Sequence, residues 1–525
     1  MSARERRLER QRFRDEKLKA EEETGKAIRV VYEPRKKKQS LSNRVNIKGS
    51  PLEQKEDDQA TIEKTAAVYR RMLPSLLNSL NKIKDPRAPH KVKHKITTLF
   101  IYGIIMFVFH IGSRREVNRE MTDIGFENLK AIFPELETLP HADTLARLLE
   151  VIDVSQIQES MIELLKDLIR RKKFRNYLHG KRLLIAIDGT QKFYRDYQWA
   201  CEYPGLVRHV GEEKVEQHYV YVLESVLVLD NGITLPFFSV FLDGAQQTAD
   251  PELVTTGEDI ISGEIKKQDC ERKAFRRMAA MIKEHFRNTR ISIVLDGLYA
   301  CGPIIQICRK NKWGYMIVLK SGAMSAVWDD AVGIMKLEEK NRLRVMWGDR
   351  RQDYRWANEI EYDYRDSKNV LHRLKLHVVI CDESWTEDHS RSTGKTEECS
   401  TRYAWLSSTP LNQSNVFDRC TKIGRYRWNI ENNILTEKHQ GYSYEHCYSY
   451  TWKVMEGYHY LMKIGHFLNV MAANSELLNK QVKELGIQGF FQKIWMMCCY
   501  ADYLERTRIL LAANNVYQWR LQPVS

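Results

Sequence analysis

The sequence contains no Cys-x-x-Cys pair, no apolar run long enough to span a bilayer and no excess of acid, and each absence removes a class of protein. Its 10 cysteines are scattered, which supports neither a zinc ribbon nor a disulfide framework and suits a reducing cytosol. The most apolar stretch, residues 99–111, falls short of the roughly 20 residues a membrane helix needs and reads as a buried helix. The start of the chain is charged from Arg4 onward and lacks the apolar centre of a secretory signal. A cytoplasmic protein with no membrane partner is expected. What the chain does carry is positive charge: 83 Lys and Arg against 69 Asp and Glu, a net +14. Such a balance points to a polyanionic partner, most often nucleic acid, and so to association with the nucleoid.

With 525 residues, 43% of them hydrophobic and 10% aromatic, the chain is too long for one ordinary core. Residues 1–58 crowd Arg4, Arg6, Arg7, Arg10, Arg12 and Arg14 at one end and Arg35-Lys36-Lys37-Lys38 further on, with too few apolar residues for a core; they read as a basic disordered arm suited to DNA phosphates. Residues 59–178 are helical, with Val68, Met72, Leu76, Leu77 and Leu80 recurring at three- and four-residue steps. This helical domain is the candidate for DNA recognition.

At Lys181 the period changes. Residues 183–187 form a short continuous apolar run, the mark of a strand buried on both faces, and it ends in Asp188-Gly189. A second run of the same kind, 291–295, ends in Asp296-Gly297. These strands define the first part of an α/β core over 179–322. Residues 323–410 read as a β-rich insertion, because Tyr354, Trp356, Asn358, Ile360, Tyr362 and Tyr364 alternate with charged or small residues, placing one largely aromatic face on a sheet. Residues 411–450 complete the core, and 451–525 are helical with an apolar stripe.

The stretch 425–439, Arg-Tyr-Arg-Trp-Asn-Ile-Glu-Asn-Asn-Ile-Leu-Thr-Glu-Lys-His, is a helix without Gly or Pro. Arg427, Glu431 and Lys438 lie four and seven residues apart and share one helical face. Alone, such a pattern is commonly a solvated face of ion pairs. Here it follows two buried strands that each end in an aspartate. Carboxylates at adjacent strand ends repel one another unless a cation lies between them, so Asp188, Asp296 and Glu431 suggest a site for Mg²⁺ or Mn²⁺. Two such ions about 4 Å apart can clamp the attacking and leaving oxygens of a phosphoryl transfer.

In this order of elements the chain resembles the DDE transposases of bacterial insertion sequences, which carry an RNase H-like catalytic core. Their first aspartate lies on the first core strand, their second on the fourth, and their glutamate on a helix after a β-rich insertion. One branch bears a Tyr-x-x-Arg-x-x-x-Glu-x-x-x-x-x-x-Lys helix; Arg427, Glu431 and Lys438 match its last three positions, Gly424 occupies the tyrosine position and Tyr426 is displaced by two. The resemblance implies a multidomain α+β protein: an N-terminal helical domain, an RNase H-like core interrupted by the insertion, and a C-terminal helical region. It implies an enzyme in which Asp188 bridges two metal ions, with Asp296 and Glu431 completing one each. Arg427 and Lys438 would hold the backbone of the element's end. Trp347 and Trp356 are the candidates for stacking on a flipped base, and both also read as sheet core. Tyr426 and His439 are further candidates for DNA contact, His439 being equally readable as structural.

The expected activity is cut-and-paste transposition on double-stranded DNA, with a homodimer in the active complex. An RNase H-like nuclease without strand transfer, or a DNA-binding protein whose catalysis has lapsed, would share much of this sequence pattern.

Overall fold

In the computed structural model, which describes residues 29–31, 50–130, 132–211, 214–242, 264–366, 369–388, 396–499 and 520–521, the first long helix is Pro51–Leu80. It begins inside the stretch expected to be a disordered arm because Ser50 and Glu53 cap each other: Ser50 Oγ accepts from the Glu53 N–H at 3.3 Å, and Glu53 Oε2 accepts from the Ser50 N–H at 2.7 Å. Most of that arm, 1–28 and 32–49, lies outside the described residues, but Arg29–Val31 is a strand, β1.

The stripe Val68, Met72, Leu76 and Leu80 is buried, as its spacing predicts. Helix Ile96–Val108 is buried on nearly every side, so it needs apolar neighbours all round. Helices Ala142–Val151 and Trp452–Ala473 supply them. Close approach demands glycine: a Cβ at Gly103 would stand 2.7 Å from Leu145 Cδ2 and 2.8 Å from Leu461 Cδ1, and one at Gly465 would stand 2.6 Å from Phe107 Cβ. The C-terminal helix therefore shares one core with the N-terminal helical region and with one face of the sheet.

The remaining strands are β2 (Leu183–Arg195), β3 (Leu206–Val210), β4 (Val215–Val228), β5 (Thr234–Phe241), β6 (Ile291–Leu295), β7 (Gly314–Val318), β8 (Arg342–Trp347), β9 (Arg350–Arg365), β10 (Leu371–Asp388) and β11 (Thr396–Ser407). They join β1 in one mixed sheet of order β1-β8-β9-β10-β11-β7-β6-β2-β4-β3, with β5 also on β4. Within it β2, β6 and β7 run parallel, while β4 is antiparallel to β2 and to β5. The β-rich segment does not stand apart as a sheet of its own. β11 pairs antiparallel with β7, Trp405 opposite Val318, and extends the same sheet outward.

The expected single aromatic face of β9 is split. Asn358 and Glu359 together oppose His377, a bulge that Glu359 makes with φ of +60°. The extra residue inverts the alternation. Tyr354 and Trp356 enter the core on one side of the sheet, whereas Ile360, Tyr362 and Tyr364 pack on the other. Helices Val416–Thr421 and Trp428–His439 cover the first of these sides, packing over Leu184, Ala186 and Val294.

Candidate active site

Ala186 of β2 is registered with Val294 of the parallel neighbour β6, so Asp188 and Asp296, two residues further on each, occupy equivalent places on adjacent strands. Because side chains alternate, both aspartates face the side that packs under helix Trp428–His439. The two strands end differently. β6 stops at Leu295, and Asp296 caps the turn Gly297–Tyr299 by accepting from the Leu298 N–H at 2.6 Å. β2 instead runs on through Asp188 to Arg195, held by its pairing with β4, so the expected strand end at Asp188 is a point within the strand.

Helix Trp428–His439 is preceded by a tight turn, Gly424–Arg427. A Cβ at Gly424 would lie 2.9 Å from Trp405 Nε1, so the position where the related signature has tyrosine has no room for a side chain here. Tyr426 points elsewhere: its hydroxyl donates to the Asp230 carbonyl at 3.0 Å. Arg427, only 8% exposed, joins the helix to the strand. Its Nη1 lies 3.3 Å from Asp188 Oδ2 and its Nη2 lies 2.7 Å from Glu431 Oε1. Lys320 Nζ lies 3.7 Å from Asp296 Oδ2.

Burial pushes the Asp188 carboxyl up to about 7; Arg427 pulls the other way, and Asp296 and Glu271 add to the rise. Glu271, on helix Glu264–His285, was not singled out from the sequence. It is buried, accepts hydrogen bonds from Tyr221 and Tyr299 hydroxyls at 2.8 and 3.1 Å, and sits so close that a Cβ on Gly189 would be 2.8 Å from its Cδ.

A cleft of about 600 Å³ opens beside Asp296 and Arg427. Asp296, Lys320, Trp328, Arg425, Arg427 and Trp428 are among its walls. Trp428 is 54% exposed, with the Arg427 guanidinium 4.8 Å above its ring. The other expected residues lie apart from this cleft or behind its wall. Trp356 is 2% exposed in the core, and Trp347 is half-buried with Arg425 over its ring at 5.2 Å. Lys438 donates to the Gln191 carbonyl at 3.1 Å and pairs with Glu445 at 3.0 Å, and His439 is exposed. Lys320 and Trp428 had a readable signal, since Lys320 closely follows a parallel strand and Trp428 adjoins Arg427. Glu271 had none.

Among the described residues, no three His, Cys, Asp or Glu side chains converge closely enough to hold an ion. Asp188 and Asp296 bring two carboxylates to equivalent places on adjacent strands, and Glu431 meets Asp188 through Arg427.

Residues 77–165 match the family described as DDE_Tnp_1-associated. The match points to a DDE-type transposase family. It spans helical elements from the end of Pro51–Leu80 into Ser155–Arg170, and no candidate site residue lies within it. No curated protein matches the chain. No helix among the described residues is long and apolar enough to cross a membrane.

Proposed function

We propose that this transposase-family chain cuts the ends of its own insertion sequence and joins them to target DNA, with Asp188, Asp296 and Glu431 as its catalytic carboxylates. The observation that carries the reading is the register of Asp188 with Asp296 on parallel strands, closed from above by Arg427 and Glu431. The order β5-β4-β2-β6-β7, with β2, β6 and β7 parallel, supports an RNase H-like core whose first and fourth strands in the chain carry the two aspartates.

Asp188 and Asp296 would hold Mg²⁺ or Mn²⁺, and Glu431 would join them once Arg427 turns to another anion. Bound there, the ions would polarise the scissile phosphate and supply an ionised attacking oxygen. The chain's own groups do the rest. Arg427 pairs with both Asp188 and Glu431 in the free protein, and a DNA phosphate in the cleft would compete for the same guanidinium, releasing both carboxylates. Lys320 and Arg425 add positive charge to the cleft walls, and exposed Trp428 offers a ring to an unpaired base. Lys438 would exchange Glu445 for a phosphate further along the strand. The partner is double-stranded DNA, and a homodimer would bring two element ends together.

The test is cleavage and joining of a duplex that carries the element's terminal repeats, in Mg²⁺ and in chelator. Wild type should cut only with the ion. Asp188→Asn and Glu431→Gln should bind the duplex yet fail to cut. Ion-independent cutting, or cutting by Asp188→Asn at the wild-type rate, would refute the assignment.

A further inference from the structure

Six residues beyond Glu431, the same helix drops a second carboxylate, Glu437, into the interior, where it is fully buried. Lys463 Nζ, from helix Trp452–Ala473, lies 2.6 Å from Glu437 Oε2 and 2.9 Å from Glu224 Oε2. Glu224 is itself fully buried on β4, directly opposite Asp188 on β2. One ammonium thus ties the helix that carries Glu431 to the strand beside the one that carries Asp188.

Both carboxylates have further partners. Glu437 also meets His466 Nδ1 at 2.8 Å and accepts from Asn433 Nδ2 at 3.3 Å. Glu224 accepts from the Tyr444 hydroxyl at 2.8 Å and from the Ser239 hydroxyl at 2.6 Å, with His459 Nε2 at 3.3 Å. Burial drives both carboxyls up, but Lys463 and the histidines more than offset it and hold both below the usual carboxylate range. Buried ion pairs of this kind add little stability over apolar side chains of the same size, and in some proteins they fix register. None of these groups touches the cleft, so they act through the elements they join.

We propose that Glu437, Lys463 and Glu224 are positioning residues that set the height and rotation of the Glu431 helix over the Asp188 strand. The proposal rests on the reading of Asp188 and Glu431 as catalytic, and it predicts a specific behaviour. Lys463→Met alone leaves Glu437 and Glu224 buried without their shared partner and lowers stability. The triple variant Glu224→Gln/Glu437→Gln/Lys463→Met removes all three charges and recovers much of the melting temperature, but not the position of the helix.

Two measurements on the full chain decide it. One is terminal-repeat cleavage: the triple variant should keep its DNA affinity while its single-turnover rate stays tenfold or more below wild type. The other is the distance between spin labels on unnatural residues at Leu435 and Tyr194, which are 51% and 46% exposed on the helix and on β2. The distribution should be narrow in wild type and shifted or broadened in the triple variant. A rate restored along with the melting temperature, an unchanged distance distribution, or a broadened one with a wild-type rate overturns the proposal. If wild type itself does not cut DNA, the catalytic reading fails, while the label distances still decide whether this joint sets the helix.

Discussion

Replacing the central aspartate should make the protein more stable at alkaline pH. The Asp188 carboxyl is raised from 3.8 to about 7, chiefly by burial. A carboxyl whose folded pKa is raised contributes stability only while protonated. Below about pH 4 the folded and unfolded chains are both protonated there; between pH 4 and 7 the unfolded chain releases its proton first and gains on the fold. Above pH 7 the full penalty applies, about 3 pH units or roughly 4 kcal/mol at 1.36 kcal/mol per unit. Asp188→Asn removes that penalty but also gives up the Arg427 contact, leaving Arg427 with Glu431 alone. The penalty of roughly 4 kcal/mol is already net of that contact, so the gain at pH 8 should be up to about 4 kcal/mol, a rise of a few degrees in melting temperature. The assay is thermal melting in chelator at pH 4.5 and pH 8. The variant should melt above wild type at pH 8 and at or below it at pH 4.5. Adding Mg²⁺ at pH 8 should raise wild type and leave the variant unmoved. Parallel pH profiles for the two proteins would refute the claim that Asp188 is held ionised against its surroundings.

Two further outcomes follow from the same strand. Gly189→Ala would place a Cβ 2.7 Å from Tyr221 Cε1 and 2.8 Å from Glu271 Cδ, and these two buried side chains are bonded to each other, so neither can swing aside. The expected loss is about 1–3 kcal/mol by melting, with Gly322→Ala, which meets nothing within 4 Å, as the unaffected control. Lys192 is buried and its ammonium is pushed down to about 7 by that burial. A lysine with a depressed folded pKa penalises the fold most below that value, and the penalty is released as pH rises from about 7 toward 10; stability of wild type should therefore climb between pH 7 and 9, by at most about 1.4 kcal/mol per pH unit, and Lys192→Met should show no such climb.

How far the sequence reaches depends on whether a feature is local. The runs 183–187 and 291–295 were readable as strands because a strand buried on both faces has no polar alternation to confuse it. Their aspartates came with them, and so did the Arg427–Glu431 pair, which is a matter of helical spacing. The continuation of β2 to Arg195 was not readable. Residues 189–195 mix polar and aromatic side chains around a bulge at Lys192, and only pairing with β4 keeps them extended. The aromatic face of β9 failed for a related reason, since one extra residue at Glu359 inverts the pattern and nothing in the local sequence announces it. Glu271, Glu224 and Lys463 gain their meaning from partners far away in the chain, and no local pattern could supply that.

Helix Trp428–His439 illustrates why distant partners matter most where geometry is tightest. Its apolar anchorage to the sheet is Ile430 and Ile434, buried at 0% and 7%, while Trp428 and Leu435 are left 54% and 51% exposed. Burying two isoleucines contributes roughly 3–6 kcal/mol, enough to hold the helix down. That contribution is nearly insensitive to a small rotation or to sliding by a fraction of a turn, because apolar attraction has no direction. Charge-assisted contacts do have direction. Arg427 locks the start of the helix to Asp188, and Glu437 locks its last turn to Lys463 and so to Glu224. Two ionic points at opposite ends of a three-turn helix fix both its height and its rotation. Glu431, between them, is thereby placed without being itself constrained beyond its bond to Arg427.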